Sequence, residues 1–359
     1  MSGRQGSRFY ALLFLALLFL LPSCNISINL EPSGGGRVVQ TEGPWYNIYF
    51  TDPTCPPPYE RHDGIDAIIA ADLLQAEAYV DVAAFDLDAE PIIDALIQLQ
   101  AQGVPVRVVT DTDNEELSSI TRLRRNGITV VTDDRSALMH DKFIVVDDRV
   151  VWTGSLNYTS NGAYCNNNNA VRFDVPELAT NYRLEMNEMY DQHQFGPSSP
   201  LQGGRERVVV NGVLVENYFA PEEEVAPIIA GYVSGAEEEI HFMAFSFTEQ
   251  RIGSAMLDRA MEGVEVRGVF ETTGSQSEFS YFGRMRDARL PNLHVLQDGN
   301  PRVMHHKVIV IDGETVIFGS FNFSQSANDD NDENVVIVHD AQFASYFEEE
   351  FDWVWNEAR

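Results

Sequence analysis

Two histidine–lysine pairs carry the residue types that phosphoryl chemistry requires: His140-x-Lys142 and His305-x-Lys307. Successive side chains of a β-strand point to opposite faces, so residues two apart share a face, and each pair projects an imidazole and an ammonium into one space. Imidazole acts as nucleophile or proton carrier and ammonium holds a phosphoryl oxygen, so each pair reads as a phosphate site with a nucleophile beside it. A pair of solvated strand residues would explain one such occurrence. It is a poor account of two at matching positions.

The matching extends well beyond the pairs. Met139-His140-Asp141-Lys142-Phe143-Ile144-Val145-Val146-Asp147 recurs as Met304-His305-His306-Lys307-Val308-Ile309-Val310-Ile311-Asp312, at an offset of 165 in the numbering. The offset holds without a gap through Gly154-Ser155-Leu156-Asn157 against Gly319-Ser320-Phe321-Asn322, and on to Asn169 against Asn334. Upstream, Gly103-Val104-Pro105-Val106-Arg107-Val108-Val109 matches Gly263-Val264-Glu265-Val266-Arg267-Gly268-Val269 at an offset of 160. A linker-like stretch from Gly196 to Gly204 divides the copies. Within a copy the pattern predicts a strand at 78–85, a helix at 90–102, a strand at 106–110, a further helix, then two strands around the motif. Runs such as Phe143 to Val146 are short and β-branched, as buried strands are. The expected architecture is α/β: two similar halves, 45–195 and 205–359, each a sheet flanked by helices, packed with one site at their interface.

H-x-K-x-x-x-x-D followed by G-S-x-N resembles the signature of the phospholipase D superfamily, and both copies are complete from about Tyr46 to the C-terminus. The resemblance implies a covalent phosphohistidine on one histidine, protonation of the leaving group by the other, and release to water or another alcohol, with no cofactor and no metal. Asn157 and Asn322 are expected to donate to phosphate oxygens, with Ser155 and Ser320 as further donors. Asp147 and Asp312, out of strand register with the lysines, are expected to point away from the reactive face and hold the following turn. The family sets an acidic or amide residue against the far nitrogen of each catalytic histidine, and counting the same distance on from each histidine leads to Asn168 and Glu333. On that count Asn168 serves His140 and Glu333 serves His305. A carboxylate stabilises imidazolium, so His140 is the expected nucleophile and His305 the expected acid.

Neither His305-His306 nor the acidic run 329–333 follows a zinc or EF-hand pattern, and the run is expected to be a solvated loop leading into a strand at Val335. A formal net charge of −31 repels nucleic-acid backbones. Phospholipid is therefore the first-choice substrate, a secreted nuclease of the same family the alternative. A non-catalytic phosphate-binding surface lipoprotein is a further alternative, against which two intact histidine–lysine pairs stand. With both half-sites in one chain, a monomer is expected.

Arg4 and Arg8 precede an apolar run from Phe9 to Leu21, too short for a comfortable membrane span and suited to a secretory signal. It ends in Leu21-Pro22-Ser23-Cys24, which resembles a lipobox, with an ordinary cleaved signal as the alternative. Residues 1–23 are thus expected to be removed, Cys24 to carry lipid, and 24–44 to tether an exported, membrane-anchored domain, periplasmic or at the cell surface. Of the three cysteines, Cys55 and Cys165 then remain; a disulfide and two separate thiols stand equally open. Cys24→Ala should abolish incorporation of a fatty-acid analogue while leaving the folded domain unchanged. Unaltered labelling would rule out the anchor.

Overall fold

The computed structural model describes residues 1, 3, 39–201, 204 and 206–359; the expected signal, Cys24 and most of the tether lie outside them. Both repeats fall within one compact unit, Gly34–Arg359.

The first half supplies β1 (Val39–Glu42), β2 (Tyr46–Phe50), β3 (Val80–Ala84), β4 (Val106–Thr110), β5 (Thr129–Thr132), β6 (Lys142–Val146), β7 (Val150–Gly154), β8 (Asn166–Asn167) and β9 (Asn169–Asp174). The second supplies β10 (Arg207–Val210), β11 (Val213–Ala220), β12 (Glu239–Ala244), β13 (Glu265–Phe270), β14 (Leu293–Gln297), β15 (Val303–Met304), β16 (Lys307–Ile311), β17 (Thr315–Gly319) and β18 (Glu333–His339). They form two eight-stranded sheets of equivalent order, β1-β2-β9-β7-β6-β3-β4-β5 and β10-β11-β18-β17-β16-β12-β13-β14. The α/β fold of two similar halves is as the repeat required.

Within each half, β3, β4 and β5 or β12, β13 and β14 run parallel, joined by the helical crossovers that parallel strands need. The first crossover, Glu90–Gln102, keeps the bounds that its sequence pattern predicts. Pro91 stands in its first turn, Ile92, Ile93, Leu96 and Leu99 bury one face, and Gly103 ends it at φ 89°, a left-handed turn that glycine adopts at least cost. The strand expected at 78–85 is shorter, Val80–Ala84, because the backbone amides of Glu77, Ala78 and Tyr79 donate to the Asp147 carboxylate instead of a neighbouring strand. Asp312 takes the equivalent amides of Glu237, Glu238 and Glu239. Both aspartates are structural as expected, but they fasten the entry to the neighbouring strand rather than the turn that follows them.

A central apolar cluster joins the halves. Phe50, Phe143, Val171 and Phe173 from the first sheet meet Val308, Val310, Phe318 and Val336 from the second, with Tyr182, Met186, Phe343 and Phe347 from the helices Pro176–Gln192 and Ala341–Glu357. Phe173 and Phe318 stand 6.3 Å apart across the seam. Removing such a ring costs about 3–5 kcal/mol through lost burial and the cavity left behind.

The halves also exchange backbone. β8 pairs in parallel with β15, Asn166 opposite Val303 and Asn167 opposite Met304. The His140 amide donates to the Asp332 carbonyl at 2.9 Å and the His305 amide to the Asn167 carbonyl at 2.9 Å. Each histidine therefore hangs from the opposite half.

Cys55 and Cys165 form a disulfide, with Cα atoms 4.1 Å apart, which settles the alternative that the sequence leaves open. It ties the segment before the helix Ile65–Leu73 to the residue preceding β8. Closing a loop of this length restricts the unfolded chain, so Cys55→Ser should lower stability by about 2–4 kcal/mol in denaturant unfolding. An unchanged midpoint in oxidised samples would refute the bridge.

Candidate active site

β6 and β16 begin at the two lysines, so the strand alternation sends His140 with Lys142, and His305 with Lys307, toward the seam. All four side chains are buried. Each ammonium donates to the carbonyl of its own histidine, Lys142 Nζ to His140 O at 2.6 Å and Lys307 Nζ to His305 O at 2.9 Å. Each also faces an aromatic ring, Phe85 at 5.2 Å and Phe245 at 4.8 Å, and those same rings pack against His140 and His305. An aromatic face offsets part of the cost of a buried cation. Neither ring lies within a motif, although the pair keeps the upstream offset of 160.

The partners of the histidines are crossed. His140 Nδ1 meets Glu333 Oε2 at 2.8 Å, and His305 Nδ1 meets Asn168 Oδ1 at 3.0 Å. The expectation that Asn168 serves His140 and Glu333 serves His305 is corrected. Counting along the chain finds the right residues, but β8 and the Asp332 backbone pass across the seam and deliver them to the opposite half.

Ser155 and Ser320 are corrected as well. Ser155 Oγ donates to Asn168 Oδ1 at 2.9 Å and Ser320 Oγ to Glu333 Oε2 at 2.7 Å, so each hydroxyl proton positions a histidine's partner rather than facing a phosphate. The glycine before each serine is required by contact: Gly154 lies at φ 143° with a virtual Cβ 2.5 Å from the Asn169 carbonyl, Gly319 at φ 151° and 2.3 Å from that of Asn334. Any side chain there would push β9 or β18 away, and the partner with it. Asn157 Oδ1 and Asn322 Oδ1 are buried and meet no donor among the described residues. Carboxamide nitrogen and oxygen are distinguished by their hydrogen bonds alone.

The acidic run is a solvated segment only in part: Asp329 and Asp330 are exposed, and the chain is buried from Asn331 onward. Asp332 and Glu333 are fully buried; Asp332 accepts from Arg135 and from the Gly196 amide, and Glu333 opens β18. Behind the histidine faces a second pair of asparagines spans the seam. Asn334 Nδ2 donates to Asp141 Oδ1 at 2.7 Å and Asn169 Nδ2 to His306 Nδ1 at 3.0 Å. Nothing in the motifs marks these cross-links, though both asparagines close the gapless repeat.

Burial governs the charges. It pushes the His140 imidazole well below its usual range, with Lys142 and Lys307 adding to the shift. His305 follows for the same reasons, with Lys307, Lys142 and His140 contributing. Burial brings Lys142 down to about 8 and pushes the Glu333 carboxyl up to about 8, the latter against the pull of Lys142, Ser320 and Lys307. That the lysines act on both histidines shows one site rather than two.

The chain matches the model of the cardiolipin synthase, PLD-like domain over residues 69–190 and again over 229–355. The chain belongs to the phospholipase D superfamily. Superfamily relatives include a phospholipase D of Rickettsia felis, 33% identical over 133 residues, 37% of this chain and 65% of the relative's length. A mitochondrial cardiolipin hydrolase of Xenopus tropicalis is 32% identical over 142 residues, 39% of this chain and 67% of the relative. The match to the Rickettsia protein thus spans a little under two thirds of it. Among solved structures, phosphatidylserine synthase from Haemophilus influenzae aligns over 88% of this chain and 87% of its own at a TM-score of 0.63 and 13% identity, a likeness of fold.

An oxyanion held between the two lysines would favour their protonated forms. With Lys142 at about 8 in the free protein, affinity should be highest below that pH and fall as pH rises through it, by up to about tenfold per unit for one linked proton. Sulfate, whose charge is constant across this range, is the probe. Calorimetric affinity independent of pH between 6 and 10 would show that neither lysine titrates there.

Proposed function

We propose that the protein is a phospholipase D-type phosphodiesterase that cleaves head groups from phospholipids, giving phosphatidic acid through a covalent phosphohistidine, with transfer to another alcohol as a companion reaction. The observation that carries this reading is the crossed pairing of two buried histidines, one with a carboxyl and one with an amide, between two buried lysines. The family match and the relatives named phospholipase D and cardiolipin hydrolase support it.

Nδ1 of each histidine is engaged, so Nε2 is the reacting atom. Attack by His140 Nε2 on phosphorus forms the N–P bond and leaves the ring positively charged; this requires the ionised form of Glu333, whose carboxylate on Nδ1–H stabilises that charge. The P–O bond to the head group breaks, and His305 Nε2–H passes its proton to the departing oxygen. Proton donation removes charge from His305. An uncharged partner, Asn168, makes its imidazolium the stronger acid. The lysines neutralise the equatorial oxygens, and the bound phosphate's own charge opposes the lysines that hold His305 deprotonated in the free protein. In the second step His305 takes a proton from water, the oxygen attacks phosphorus, and the N–P bond breaks to restore His140.

Exchanging the partners would by the sequence argument exchange the roles. The charge developed on the phosphorylated ring outweighs it, so His140 remains the nucleophile and His305 the acid, for a different reason. The disulfide suits an oxidising compartment, in keeping with export and a lipid anchor at Cys24. Among the described residues no helix is long and apolar enough to cross a membrane.

Acid quenching and peptide mapping should place the phosphoryl group on His140, and His305→Ala should still be phosphorylated by an aryl phosphodiester that needs no acid. Phosphate on His305 would reverse the roles. Asn168→Asp should raise the pKa of the acid and move the alkaline limb of kcat to higher pH; movement to lower pH would contradict the crossed pairing in solution.

A further inference from the structure

The repeat breaks its own charge balance at one buried place. In the second half, Glu350 on the helix Ala341–Glu357 is nearly fully buried and faces His306, with Nε2 2.9 Å from Glu350 Oε1. The same offset of 165 carries His306 to Asp141 and Glu350 to Glu185. The first half therefore has an acid where its twin has a base.

Glu185 is 1% exposed, and its Oε2 meets no hydrogen-bond partner among the described residues. Glu188, one helical turn on, is fully buried. Glu222 arrives from the second half, just beyond β11, and both of its oxygens are buried without a hydrogen-bond partner among the described residues. One oxygen from each of the three lies within 4.8 Å of the others. Alongside is a cavity of about 20 Å³ lined by Asn181, Glu185, Asn217, Glu222 and Glu223, room for one water-sized ligand. Burial and mutual repulsion push Glu185 well above the usual carboxyl range and Glu222 up to about 8, with Asp141 contributing to both.

We propose that Glu185, Glu188 and Glu222 bind a hard divalent cation, Ca2+ in the first instance, which stands where the second half uses His306. All-oxygen carboxylate donors select a hard cation, and an irregular set drawn from a helix and a loop suits the tolerant geometry of Ca2+ better than the strict octahedron of Mg2+. Two donors come from the first half and one from the second, so the ion clips the seam. It lies within electrostatic reach of Asp141 and takes no part in phosphoryl transfer. The spacings that match no metal pattern are those of His305-His306 and the acidic run 329–333, and the resemblance implies no metal for the reaction; this site lies outside both.

Calorimetric titration of the chelator-treated, folded protein with CaCl2 should show one equivalent bound at sub-millimolar affinity, and about 5 mM Ca2+ should raise Tm by about 5 °C. Mg2+ should do markedly less. In the Glu185→Gln/Glu222→Gln variant both effects should vanish while the Tm of the ion-free protein holds or rises, since the substitutions remove repulsion. Absence of heat and of any Tm change in the unaltered protein, with Ca2+, Mg2+ and Mn2+ alike, would overturn the proposal. So would an undiminished Ca2+ response in the double variant. Neither readout uses phosphodiesterase activity, so failure here and failure of the proposed reaction are separable.

Discussion

Everything in the active site depends on the exchange of side chains across the seam, His140 with Glu333 and His305 with Asn168. A histidine fixed by a residue of its own half would need only that half to fold. Here the ring orientation of each histidine is set when the two sheets meet, and the shared apolar cluster supplies the energy to hold them together. The β8–β15 pairing and the histidine amides anchor the same seam through the backbone. Packing, backbone register and catalytic geometry are thus one arrangement.

That arrangement is electrostatically costly. Two lysines, two histidines and Glu333 are buried together, and each charge is expensive in a poor solvent unless another answers it. The protein answers with aromatic faces, histidine carbonyls and serine hydroxyls, none of which carries a full charge. The site is consequently tuned toward uncharged groups, and an anion between the lysines would supply the opposite charge they lack. Preorganised donors that await a charge reorganise little when it develops.

Much of this was legible in the chain. The strand period read from His140-x-Lys142, the gapless repeat and the helix at 90–102 follow from local chemistry, which short-range patterns record. The candidates Asn168 and Glu333 were found by counting, because the repeat keeps their distance from each histidine. Which histidine each would meet was not legible: counting measures separation along the chain, and the crossing is a property of how two sheets face each other. Ser155 and Ser320 misled for a related reason. A hydroxyl beside a phosphate motif reads as a phosphate donor, and only the three-dimensional placement of Asn168 and Glu333 shows where its proton goes. The buried half of the acidic run was hidden by its composition, since Asp332 and Glu333 look like solvent-facing residues until Arg135 and His140 are set against them.

Carrying both repeats in one polypeptide has a consequence for the polarity of the substrate. An assembly of two identical chains would give both histidines the same neighbour, and a phosphodiester bound in either orientation would find equivalent chemistry. A single chain is free of that degeneracy, and here position 168 is an amide while position 333 is a carboxylate. On the proposed division of labour the site is vectorial: the alcohol to be expelled would lie toward His305 and the Phe245 ring, and the group retained through the covalent step would approach from the opposite direction. A substrate with two dissimilar arms is thereby read in one sense only, and discrimination between head groups becomes a matter of what surrounds a single exit.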